Sequence, residues 1–169
     1  MSHTTAETYE QFTAEAGRYG VTVTETAPDS VAATISDAVD PPAVGTPLPW
    51  EGLHLPADVT TEITPAALQQ AVTGVTPASL AIAEYGSVVL RMDDHASEPV
   101  SLFTDHHVAV LRAADIVADM TAAFDWFGEQ LRDTRDSAII ATGPSATADM
   151  GSLVQGAHGP KTVEVIVVR

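Results

Sequence analysis

Apolar and polar positions change their rhythm several times along the chain, and the changes predict an alternation of helices and strands. From Thr5 to Tyr19 the residues Tyr9, Phe12 and Ala16 recur at helical spacing, with Glu7 near the start and Gly20 as a stop. VTVTET, Val21 to Thr26, alternates valine with threonine and predicts a strand. PDSVAATISDAV then places Pro28, Asp29 and Ser30 ahead of helix-spaced Val31, Ile35 and Val39.

Residues 40–65 hold six of the eleven prolines, which argues against a long helix or a central strand there. The segment is too apolar for a free linker. Trp50, Leu53 and Leu55 suit it either to pack on the domain or to form a lid over a site.

From Val72 the pattern becomes regular. VTGVT predicts a strand, TPASLAIAEYG a helical turn or two with Pro77 at the first position, and SVVLR and HHVAVLR two further strands. A helix opened by Asp115 would gather Ile116, Met120, Ala123, Phe127 and Leu131 into one stripe, with Arg132 and Arg135 at its electronegative end. SAIIAT and TVEVIVV are apolar strands on either side of a glycine-rich stretch. Such alternation predicts an α/β fold: a mostly parallel sheet with some antiparallel pairing, covered by helices on both faces.

Composition narrows the function. With 169 residues and no internal repeat the chain fits one domain, spanning 1–169. No apolar run approaches the ~20 residues that span a bilayer, and MSHTTAETYEQF lacks the basic start and apolar core of a signal peptide, so a cytoplasmic location is expected. There is no cysteine, which excludes disulfides, thiolate metal sites and cysteine-held iron-sulfur clusters within this chain. Nor is there an HExxH or other histidine pattern that would support an intrinsic metal site, a GxGxxG fingerprint or a Walker loop.

The formal charge is -16, from 23 acidic residues against seven basic ones, of which only Lys161 is a lysine. This argues against nucleic acid and anionic membranes as partners. The acids are spread singly, as on a solvated surface, and the scarcity of lysine resembles the composition of proteins from salt-loving archaea.

Chemistry concentrates in ATGPSATADMGSLVQGAHGP, Ala141 to Pro160. In open α/β sheets ligands collect at the carboxyl ends of strands, where the next helix presents unpaired N–H groups. Gly143 and Pro144 would shape a turn at such a place, and Ser145 and Thr147 would offer hydroxyls to a carboxylate or phosphate. Equally, Ser145 or Thr147 would serve as a helix cap with Asp149 in the first turn. In GAHGP, His158 between Gly156 and Gly159 is either a general acid-base group or a plain loop residue. Glu84, before Tyr85 and Gly86, is either a nucleophile or base or a solvated turn-end carboxylate. His106 and His107 begin a strand and must point to opposite faces, so they cannot share one metal ion.

Together GVTPASLAIAEYGSVVL, SLFTDHHVAVL and ATGPSATADMGSLVQGAHGPKTVEVIVV resemble the LUD domain family, which includes the lactate-utilisation protein LutC and YkgG-like proteins. The resemblance runs over residues 72–168. It implies a three-layer α/β/α sandwich like the NagB, RpiA and CoA-transferase group, though shared fold does not transfer an activity. It further implies a role in oxidising L-lactate to pyruvate beside two iron-sulfur proteins (LutA/LutB-like), the clusters belonging to those partners and none to this chain.

By position, the family's site residues correspond to Glu84, Gly86, Ser87, His107, Gly143, Pro144, Ser145, Thr147, Asp149, His158, Gly159 and Pro160. Glu84, His158 and Asp149 are the catalytic candidates, and Gly86, Ser87, His107, Gly143, Pro144, Ser145, Thr147, Gly156 and Gly159 would hold a small organic anion. Tyr85, Ala146, Met150 and Gly151 depart from the family pattern, and the missing arginine at 146 removes a bidentate anion clamp. The alternatives are a free-standing isomerase- or CoA-transferase-like enzyme using Glu84, and a non-catalytic metabolite-binding regulator. Self-association stays open.

In concentrated salt the Debye length falls to ~3 Å, so repulsion among the carboxylates is screened. The expected outcome of dialysis into dilute buffer is a lower melting temperature and loss of the circular dichroism signal. An unchanged spectrum and melting point would show that the acidity is not a salt adaptation.

Overall fold

The computed structural model describes residues 5–132, 136–148 and 151–169. Helix α1 (Thr5–Arg18) turns Thr8, Phe12 and Ala16 inward and is followed by strand β1 (Thr22–Thr26) and helix α2 (Val31–Ala38), which buries Val31 and Ile35. Strands β2 (Ala43–Gly45) and β3 (Val59–Thr60) flank the tryptophan-bearing loop. Helix α3 (Pro65–Gln70) starts at Thr64, whose hydroxyl accepts a hydrogen bond from Ala67 N–H at 3.1 Å.

Next come β4 (Thr73–Pro77), β5 (Leu80–Ile82), β6 (Ser87–Arg91), α4 (Ser97–Phe103) and β7 (His106–Arg112). The chain continues through β8 (Ile116–Val117), α5 (Met120–Gln130), β9 (Ala138–Ala141), β10 (Ala146–Thr147), β11 (Val154–Gln155) and β12 (Thr162–Val168).

The main sheet has six strands in the order β1-β12-β7-β4-β2-β3, and every neighbouring pair in it is parallel. Both its faces are covered, as parallel sheets require. Val108, Val110, Ile166 and Val168 point to one side, where α2 and Leu48, Trp50, Leu53 and Leu55 pack on them. Ala109, Leu111, Val165 and Val167 point to the other, against Phe12 and Ala16 of α1 and Val88 and Leu90 of β6. The α/β class expected from the pattern therefore holds.

One covering layer differs from a layer of helices. It is built from α1 together with a second sheet, β8-β5-β6-β9, in which β6 runs antiparallel to both β5 and β9. Helix α5 lies outside that sheet, with Met120, Ala123, Trp126 and Phe127 against Leu80, Ile82 and Val89.

Several local expectations change. The stretch from Pro77 to Tyr85 is strand β5 followed by a 3-10 turn at Ala83–Tyr85; Leu80, Ala81 and Ile82 find partners in β6 and bury completely, which outweighs the helical spacing. Helix α5 starts after Asp119, whose carboxylate accepts from Ala122 N–H at 2.9 Å; Asp115 instead pairs with Arg112, and Ile116 joins β8. Within the proline-rich segment, β2 is an interior strand between β4 and β3, short enough to fit between Pro42 and Pro47. Trp50, Leu53 and Leu55 pack on the domain, on the face of the main sheet served by α2. Arg135 lies outside the described residues.

Gly86 is fixed by the contact of α1 with the second sheet. Its φ is +61°, and a Cβ there would stand 2.3 Å from the backbone nitrogen of Ala16. Substitution Gly86→Ala combines left-handed strain with a backbone collision, so chemical denaturation should show a loss of roughly 2–5 kcal/mol. A loss below about 1 kcal/mol would mean that α1 is not held this closely.

Candidate functional site

A cleft of about 250 Å³ opens between the two sheets, at the amino-terminal ends of β7 and β12. Its walls are largely apolar: Val88 and Leu90 from β6, Ile139 and Ala141 from β9, and Val163 and Val165 from β12. Ser101 and Leu102, at the end of α4, and Val21 complete that part of it. The Gly143 turn follows the carboxyl end of β9, as the sequence pattern places it, while the main sheet meets the cleft with the amino-terminal ends of β7 and β12.

Among the described residues no helix follows the Gly143 turn. Instead β10 pairs antiparallel with β11, Ala146 opposite Gln155 and Thr147 opposite Val154, so the reading of Ser145 or Thr147 as a helix cap falls. Asp149 and Met150 lie outside the described residues.

Two loops are fastened together over the cleft. Ser145 N–H donates to Pro160 O at 2.8 Å, and Gly156 N–H donates to Ser145 O at 2.9 Å. Ser145 lies against Gly159, where an added Cβ would stand 3.0 Å from the serine Cβ. Gly143 has φ +66°, and its α-carbon passes so close to Tyr19 that a Cβ would fall 2.7 Å from the tyrosine Cβ. Beyond the loops, Lys161 N–H donates to Asp105 O at 2.7 Å, and its ammonium meets the Asp105 carboxylate at 2.8 Å. Thus the last loop is tied to the residue just before β7.

His107 forms the buried polar end of the cleft, and only 2% of its surface is exposed. Its Nε2 lies 2.9 Å from the Thr76 hydroxyl on the adjacent strand β4, where Gly74 is the Cα partner of His107. Burial, and secondarily the neighbouring His106, lowers its pKa from 6.5 to about 4, so the ring is neutral near pH 7. His106 points the other way, with Nδ1 2.7 Å from the Thr162 hydroxyl. The two histidines face opposite sides, as the strand period demands.

Gly86, His107, Gly143, Pro144, Ser145, His158 and Gly159 all line the cleft. Pro160 does so too, and exposed His158 and Thr142 mark its rim. Ser87 is buried behind the wall, its Oγ 2.7 Å from the Thr142 hydroxyl. Thr147 and Gly156 belong to the hairpin that carries the loops and do not face the cavity. Glu84 is exposed in the 3-10 turn and also lies off the cavity wall. Tyr85 and Ala146 are exposed outside it as well.

Thr76, Ser101, Leu102 and Thr142 were not singled out from the sequence. Thr142 adjoins the Gly143 turn and was legible there; Thr76 becomes visible only once β4 and β7 are paired. No lysine or arginine of the described residues lines the cleft. Nor do any three His, Asp or Glu side chains among the described residues gather to hold a metal ion.

With these blocks assembled, the chain belongs to the LUD domain family, whose model matches residues 10–168. Particular relatives are named lactate utilization protein C. The one from Deinococcus radiodurans is 32% identical over 174 aligned positions, covering 96% of this chain and 80% of that protein. The one from Bacillus velezensis is 39% identical over 59% of this chain and 43% of its own length, and the one from Bacillus subtilis 36% identical over 76% and 53%. The chain thus spans about half the length of these two Bacillus relatives. A crystal structure of a DUF162 family protein from Deinococcus radiodurans shares the fold, with a TM-score of 0.74 and 24% identity over 99% of this chain and 100% of that one.

The buried neutral His107 gives a pH signature. Its folded pKa is depressed, so an unfolded chain takes up a proton between pH 6.5 and about 4 that the folded chain refuses. Stability should fall as pH drops through that window, by on the order of 3 kcal/mol from this group. Urea unfolding at fixed molar salt should show a shallower pH slope for His107→Gln than for the wild type. Equal slopes would mean that His107 takes up its proton as readily in the folded chain as in the unfolded one.

Proposed function

We propose that the chain is a component of an L-lactate utilisation system. It holds a small organic acid in the cleft and works beside iron-sulfur proteins that carry the electrons as lactate becomes pyruvate. The observation that carries this reading is convergence: the three separated signature blocks supply Gly86, then His107, then Gly143 to Ser145 with His158 to Pro160, and all line one cavity.

Three further points support it. The relatives are named for lactate utilisation. The chain has no cysteine with which to bind a cluster in the usual way, so electron carriers of that kind belong to other subunits. At the rim, the hydroxyls of Thr142 and Ser145 and the imidazole of His158 offer hydrogen bonds to a carboxylate without a fixed cation.

Among the described residues His158 is the one imidazole at this rim, and it is our candidate for moving a proton. Glu84 stands off the wall, so an enzyme using it as nucleophile at this cleft has no geometric support.

Deleting the gene in its native host should abolish growth on L-lactate, and a plasmid copy should restore it. A copy carrying His158→Ala and Ser145→Ala should restore growth poorly while folding normally. Affinity purification from lactate-grown cells should bring down proteins with iron-sulfur absorbance near 400 nm. Normal growth of the deletion strain on lactate would overturn the proposal.

A further inference from the structure

We infer that the cleft selects organic acids whose side chain is larger than the methyl group of lactate, the side chain entering first and the carboxylate staying at the rim. The inference rests on the reading of the cleft as an organic-acid site and adds which acids it takes.

Space is the first argument. At a water's share of ~30 Å³, the cleft of about 250 Å³ has room for about eight non-hydrogen groups. Lactate would bring one methyl to an apolar wall of exposed Leu102 and half-buried Ile139 and Ala141, backed by the nearly buried Val88, Leu90, Val163 and Val165. Most of that apolar surface would then stay wet or empty, and unfilled apolar volume forfeits contact energy.

Charge is the second. A carboxylate taken deep into an apolar cavity must be paired or fully hydrogen-bonded. No described lysine or arginine lines this one. The polar side chains at the buried end are the imidazole of His107, held by Thr76, and the hydroxyl of Ser101, which donates to Glu98 O at 2.7 Å. The groups suited to an anion, Thr142, Ser145 and His158, sit at the outer end, where water still reaches them. An acid is therefore oriented with its charge outward and its side chain inward. His107 is left to meet at most a neutral polar tip.

The test is calorimetric titration of the intact protein in molar salt with three probes: L-lactate, 2-hydroxy-4-methylpentanoate, and the uncharged 3-methylbutan-1-ol. Each of the three extra carbons of the branched acid, once buried, contributes a factor of about four. The branched acid should bind on the order of 50-fold tighter than lactate, and tighter than the alcohol. Ala141→Leu, which fills the cleft from β9, should erase that advantage. The wild-type series decides the matter if the variant does not fold.

Lactate binding as tightly as the branched acid, or tighter, would overturn the inference and leave the lactate-system reading intact. Alcohol binding as tight as the acid would overturn the placement of the carboxylate. No binding by either acid, in a protein whose deletion strain cannot grow on lactate, would overturn this use of the cleft while sparing the role in the system.

Discussion

The pairing of β7 with β12, with both faces of the pair buried, is the constraint on which the rest depends. The two strands run parallel over seven residues each, and the residues from Val108 to Leu111 and from Val165 to Val167 are almost fully buried. A one-residue slip would exchange the set facing α2 for the set facing α1, so burial on both sides fixes the register. That register sets where the strands begin. His107 and Val163 are Cα partners, and both line the cleft. The site is therefore a by-product of core packing at one end of the sheet.

The elements with strong periodicity were legible: α1, β1, α2, β6, β7, β9 and β12 fall where their apolar spacing puts them. Short apolar runs were not. Leu80 to Ala83 reads equally as a helical turn or a strand, and only pairing with β6 decides it. Helices α3 and α4, of six and seven residues, leave too little pattern to detect. The glycine-rich signature was legible as a turn after the strand β9, yet its meeting with the amino-terminal ends of β7 and β12 was not, because that depends on how the two sheets pack, and the ribbon of β10 and β11 stood where a helix was expected. Gly86 illustrates a further limit. It has the look of a ligand-facing glycine, but the backbone of α1 accounts for it as well.

The electrostatics of the molecule divide sharply between outside and inside. The surface bears nearly all of a large negative charge, while the cleft has no described lysine, arginine, aspartate or glutamate on its wall. An organic anion entering this cleft, as proposed, would meet long-range repulsion that salt screens, and then short-range hydrogen bonding that salt affects little. Association would therefore be governed by ionic strength and residence by the fit of the uncharged part.

Lys161 is the only lysine in the chain, and it follows Pro160 of the cleft wall. Its side chain is 55% exposed even while paired with Asp105. The protein thus carries a single ε-amine beside the cleft. An amine-reactive dye, with the α-amine blocked or discriminated by pH, would place one fluorophore next to the cleft without any change of sequence, and its emission would report occupancy of the cavity directly.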